Sequence, residues 1–145
     1  MLGEKTDILH YVSYISSFSA QRFLQYTPSS IKKVLLDAQT LPQWNPAFSR
    51  VGTTQQPGVY SLAVHHFLSG KLRYIEIDNP ITLEISIPGL IEYSNFFLSA
   101  TSAGTLVKHS VQQKGRLASI IGQREASLVP AKRLNRLELF LTQAT

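Results

Sequence analysis

From Val59 to Gln113 the sequence alternates apolar and polar residues in short runs divided by turn formers, and this period of two limits the chain's options most. "VYSLAVHHF" alternates through Tyr60, Leu62 and Val64, "GKLRYIEID" through Ile75 and Ile77, and "PITLEISIPG" through Ile81, Leu83, Ile85 and Ile87. "IEYSNFFLSAT" and "TLVKHSVQQ" continue the series, with Gly58, Ser69-Gly70, Asn79-Pro80, Pro88-Gly89 and Ala103-Gly104 at the breaks. Successive strand side chains point to opposite faces, so the runs predict an antiparallel meander with one wet face and one dry face. The dry face needs a cover.

The C-terminal segment supplies one. From Gly115 the apolar spacing becomes helical, and Leu117, Ile120, Ile121, Leu128, Ala131, Leu134, Leu137 and Leu141 form a stripe. Gly122 and Pro130 interrupt it; Pro130 is expected to kink or break the helix, because its ring clashes with the carbonyl four residues earlier. Nearer the front, "SFSAQRFLQY" reads as a strand. In "YTPSSIKKVLLDAQ", Thr27 can cap a helix, Pro28 suits its first position, and Ile31, Val34 and Leu35 follow at helical spacing. Pro42 and Pro46 predict an irregular turn over 41–47, with the chain's one Trp, Trp44, between them. Residues 8–16 read either as a short helix or as more strand. The expected class is α+β: a curved antiparallel sheet of about seven strands wrapped on a long C-terminal helix, with short helices between strands 1 and 2.

A length of 145 residues fits one domain, and 43% hydrophobic with 16% charged residues is a globular composition. With no Cys, disulfides, thiolate catalysis and cysteine-ligated zinc are excluded. The N-terminus carries acidic residues where a secretory signal would be basic, and no long apolar run follows, so a cytoplasmic protein without a transmembrane segment is expected. The net charge of +5 is concentrated in 114–136, where Lys114, Arg116, Arg124, Lys132, Arg133 and Arg136 face Glu125 alone. These charges are expected to coat the wet side of the helix, so no nucleic-acid partner is expected; an interaction role through the basic helix stays as a second alternative.

No motif spells out a chemistry: Walker, G-x-S-x-G and Gly-rich phosphate-binding sequences are all missing. His65 and His66 are adjacent on a run read as strand, so they point to opposite faces and cannot share a metal; neither a metal site nor a cofactor is expected. His66 has the parity of Leu62 and Val64, and His109 that of Val107 and Val111. Each reads as a satisfied core histidine or as a polar ligand contact, with acid–base work open to either. Glu76, Asp78 and Glu84 fall on the wet face, and Glu92 is ambiguous because Tyr93 and Phe97 compete with Phe96 and Leu98 for the inner face. Arg73 shares the parity of Ile75 and either reaches water along its stem or meets a ligand carboxylate.

The order of these elements, with "LLD…LPQWNP" near the front, "GKLRYIEIDNP" in the middle, "GTLVKHSVQQKG" after it and a terminal helix, resembles the START-related helix-grip superfamily (birch-pollen-allergen-like). More narrowly it is similar to the polyketide cyclase/dehydrase and lipid-transport branch, over residues 17–143, leaving 1–16 as an N-terminal extension of a single 1–145 domain. The resemblance implies a deep apolar cavity between sheet and helix and no single activity. Trp44 then stands at the cavity's open end as wall or lid with Phe48 below, or plugs the core while Asn45 bonds the turn. The expected lining is Trp44, Phe48, Tyr60, Leu62, His66, Arg73, Ile75, Ile85, Tyr93, Phe97, His109 and Leu134, around a hydrophobic small molecule, in a monomer or homodimer. Catalytic residues are not assigned. The alternative to binding or transport is a cyclase/dehydrase-type enzyme using a cavity His and Tyr.

Overall fold

A computed structural model of the protein describes residues 14–66, 68–121 and 123–144. The reading of 1–16 as an extension falls almost wholly outside them. Strand β1 (Tyr14–Leu24) leads into helix α1 (Pro28–Leu35), a 3₁₀ turn (Ala38–Thr40) and the single-turn helix α2 (Leu41–Trp44). Six strands follow: β2 (Phe48–Thr53), β3 (Val59–Val64), β4 (Leu68–Ile77), β5 (Ile81–Ile87), β6 (Leu90–Ala100) and β7 (Thr105–Lys114). Helices α3 (Arg116–Ile121) and α4 (Gln123–Ala144) close the described chain. The seven strands form one antiparallel sheet in the order β1-β7-β6-β5-β4-β3-β2, as the alternation predicts.

Local chemistry accounts for the front segment. Thr27 caps α1, its Oγ1 accepting from Ser30 N–H at 3.2 Å, and Pro28 occupies the first turn, where a missing donor costs nothing. Asp37 caps the 3₁₀ turn in the same way. The expected irregular turn over 41–47 is instead helical as far as Trp44, because Pro42 falls in the first turn of α2 and breaks no hydrogen bond there. The Tyr74 hydroxyl donates to the Leu35 carbonyl at 2.7 Å and ties the end of α1 to β4.

Helix α4 lies over β1 and β7 and against α2. Arg22 of β1 donates from Nε and Nη2 to Glu138 at 3.0 and 2.7 Å, and the Tyr26 hydroxyl meets Thr142 Oγ1 at 3.0 Å. Pro130 neither breaks nor ends the helix: α4 runs through it, and Pro130 is itself buried. The buried stripe of α4 is Ala126, Pro130, Arg133, Leu134, Leu137 and Leu141, so the expected stripe is corrected at Ala131 and at Leu128, which is 44% exposed. Among the described residues no helix is long and apolar enough to cross a membrane.

Candidate functional site

Inward-facing residues of β6 and β7 meet α4 around a buried polar group. On β7 the alternation is strict, with Thr105, Val107, His109, Val111 and Gln113 buried. On β6 the buried set is Glu92, Ser94 and Phe96, which resolves the competition for that face in favour of Phe96 over Tyr93 and Phe97 and carries Glu92 inside with it. The register sets Glu92 opposite Gln113 and Phe96 opposite His109, and α4 brings Arg133 onto the same patch.

Glu92 is the acceptor at its centre. Arg133 grips it with two N–H groups, Nη1 to Oε2 at 2.6 Å and Nη2 to Oε1 at 3.1 Å. The Ser94 hydroxyl donates to Oε2 at 2.6 Å and Gln113 Nε2 to Oε1 at 3.1 Å, while Arg133 Nη1 also donates to Ser94 Oγ at 3.1 Å. Burial by itself would raise the Glu92 pKa, but the Arg133 charge and these donors outweigh it and hold the carboxyl well below its usual range.

His109 stands beside this pair. Its Nδ1 is 3.1 Å from the Asn95 carbonyl oxygen, and Nε2, also buried, meets no partner. Burial first, and the Arg133 charge second, push its pKa down to about 3, so the imidazole is neutral near pH 7. One face is covered by Phe96, stacked with ring centroids 4.0 Å apart and planes at 7°; Phe96 in turn meets Trp44 edge-on at 6.0 Å.

The sequence-predicted lining divides in two. Trp44, Phe48, Leu62, Ile85, His109 and Leu134 are buried in the interior, and Tyr60 is half-buried beside Tyr74. Trp44 is 1% exposed and donates from Nε1 to Thr40 Oγ1 at 3.2 Å, which is the plug geometry, and Asn45 Oδ1 accepts from Ala47 N–H at 3.4 Å as that reading required. The other five do not face inward. His65 and His66 have φ of 51° and 69°, so the strand has already ended, and His66 is exposed beside Ser49, Arg50 and Ala63. Arg73 is exposed and pairs with Glu84 at 3.1 Å, because Leu72 and Tyr74 take the inner face of β4. Ile75 is 42% exposed at a break in register between Tyr74 and Glu76. Tyr93 and Phe97 take the outer face of β6, where Lys114 and Lys108 lie over their rings at 5.7 and 6.0 Å.

Sequence reasoning missed Arg133, Ser94 and Gln113. Arg133 was read with the wet charges, yet it stands four residues before Leu137 on the inner stripe, and Gln113 has the parity of His109 and Val111. Among the described residues no cluster of His, Asp and Glu could hold a metal ion.

This geometry, a seven-stranded antiparallel sheet gripping a C-terminal helix, recurs in solved structures. A START superfamily protein from Mycobacterium smegmatis matches with a TM-score of 0.74 at 14% identity, over 89% of this chain and 99% of that one. The chain has the START-like helix-grip fold. Norcoclaurine synthase from Thalictrum flavum, in complex with dopamine and hydroxybenzaldehyde, shares the helix grip with a TM-score of 0.67 at 14% identity, over 95% of this chain and 93% of that one. The di-domain aromatase/cyclase StfQ of the steffimycin biosynthetic pathway matches with a TM-score of 0.66 at 11% identity, over 99% of this chain and 58% of its own length. No family model and no curated protein sequence matches the chain at a significant level. At these identities the likeness is one of helix-grip fold.

Proposed function

We propose that this helix-grip chain binds an apolar or amphipathic small molecule between the inner face of its sheet and α4, with the polar group around Glu92, Arg133 and His109 orienting it. His109 carries the reading. A side chain buried this completely ordinarily has both ring nitrogens satisfied, and leaving one without a partner costs about 1–3 kcal/mol. A ligand donor that reaches Nε2 recovers that cost. The neighbours add support: one was solved with the small aromatic molecules dopamine and hydroxybenzaldehyde, and another is an aromatase/cyclase.

The same residue weighs against acid–base catalysis. A base with a pKa near 3 is almost never protonated near pH 7 and attracts a substrate proton weakly, and His66, the other histidine considered for the role, is in an exposed turn. Binding without a covalent step is the function this geometry supports best.

The test is Trp44 emission during titration with farnesol, 2-naphthol and decanoate, alongside native mass spectrometry of freshly purified protein. Trp44 contacts Phe96, which stacks on His109, so occupancy there should change its emission. A saturable response to any of the three supports the proposal; flat titrations with all three, and no copurified molecule, overturn it.

A further inference from the structure

A neutral imidazole has one N–H donor and one bare acceptor. The group facing His109 Nδ1 is the Asn95 carbonyl, which can only accept, so Nδ1 holds the hydrogen and Nε2 is left as a bare acceptor turned away from that strand. Gln113 reaches the same outcome. Its Nε2 donates to Glu92, and a flipped amide would set oxygen against carboxylate, so its orientation is fixed. Gln113 Oε1 is therefore a second buried acceptor without a partner among the described residues. The donations made here serve the carboxylate group: the Ser94 hydroxyl spends its hydrogen on Glu92, and three of the five Arg133 N–H groups go to Glu92 and Ser94. The one cation here already has its anion.

From this donor–acceptor balance we infer that the site selects ligands bringing their own neutral hydrogen-bond donor, a hydroxyl, phenol or N–H on an apolar body, and discriminates against carboxylates. This rests on the small-molecule reading above and narrows it to a ligand class. A carboxylate would set lone pairs against whichever of these two acceptors it met, and would compete with Glu92 for Arg133. An ammonium ion would lose its hydration without meeting an unpaired anion. A neutral hydroxyl satisfies Nε2 with no charge to bury.

The experiment is calorimetric titration of the full chain at pH 7.5 with three probes of one shape: 2-naphthol, 2-methoxynaphthalene and 2-naphthoate. The naphthol is expected to bind about tenfold more tightly than either of the others, the size of one buried hydrogen bond left unmade. In His109→Phe, which keeps the ring stacked on Phe96, the preference of naphthol over its methyl ether should shrink to within about threefold. Equal binding of naphthol and methyl ether by the wild type overturns the donor requirement while leaving small-molecule binding in place, and naphthoate binding as tightly as naphthol overturns the discrimination against anions. If none of the three binds, farnesol and decanoate also leave Trp44 unchanged and no molecule copurifies, the small-molecule reading falls and this inference with it.

Discussion

Glu92 and Arg133 each make the other's burial tolerable, and the consequence can be measured one residue at a time. In Arg133→Leu the carboxylate keeps Ser94 and Gln113 as donors but has no counter-charge, and breaking a buried pair from one side costs about 3–5 kcal/mol. The urea midpoint should fall accordingly with little change in slope, and adding Glu92→Leu should restore most of the loss, since two apolar side chains can replace a buried pair at little net cost. A single mutant as stable as wild type would show that Arg133 is not neutralising Glu92. His109 makes a pH-dependent prediction. Its folded pKa of about 3 lies below the ordinary 6.5, so as pH falls the unfolded chain takes up a proton before the folded one does. Stability should therefore fall as pH drops through the window from 6.5 toward 3, by up to about 1.4 kcal/mol per pH unit within it. Glu92, whose pKa is lowered from 4.5, acts with the same sign but only below that value. The interval from 6.5 to 4.5 consequently isolates the histidine, and denaturation midpoints of His109→Phe across it should lose that slope.

At the level of elements, the features visible in the sequence were those written in local chemistry, and the hidden ones depended on tertiary compensation. Thr27 and Pro28 announce α1, and the period of two announces the meander, because capping and pleating need only neighbours in sequence. The inner face of β4 was misread because Ile75 and Ile77 set the apolar parity in the sequence, whereas Leu72 and Tyr74 take the inner face and both isoleucines are exposed, Ile75 at a break in register. The inner face of β6 was hidden for a different reason: Glu92 and Ser94 are buried only because Arg133, 41 and 39 positions away, supplies their partners. About half of the candidate site could be read in this way, namely the apolar wall and His109. The turn between β3 and β4 yields a prediction of its own. His66 holds φ at 69° while exposed, so its side chain contributes strain without compensating burial. His66→Gly keeps the backbone donation to Ser49 Oγ and should stabilise the protein by about 0.5–1 kcal/mol, read as a higher urea midpoint. Gly115, between β7 and α3, predicts the opposite sign. Its φ is 112° and an added Cβ would run into the Gly89 carbonyl, which also accepts from Leu117 N–H at 2.8 Å, so Gly115→Ala should lower the midpoint by more than about 1 kcal/mol.

For the whole molecule the question is whether the basic charge or the interior governs what the protein binds. The cationic excess lies in 114–136, but Arg133 is turned inward and neutralised, while Arg124, Lys132 and Arg136 are exposed along α4. Phosphate contacts made by such exposed cations release counterions and weaken steeply with salt, whereas an interior held by burial and one neutral hydrogen bond has almost no salt term. A ligand that binds only the folded chain stabilises it by about 2.7 kcal/mol at a hundred times its dissociation constant. For a chain of 145 residues that amounts to a rise of about 5–10 °C in Tm. With 2-naphthol at that excess, the rise should be the same within error at 50 and 500 mM NaCl, and it should fall to about half in His109→Phe at the same ligand concentration. A shift that disappears at high salt would move the binding site from the interior to the outer face of α4, because screening by salt acts strongly on exposed charges and weakly on a buried neutral contact.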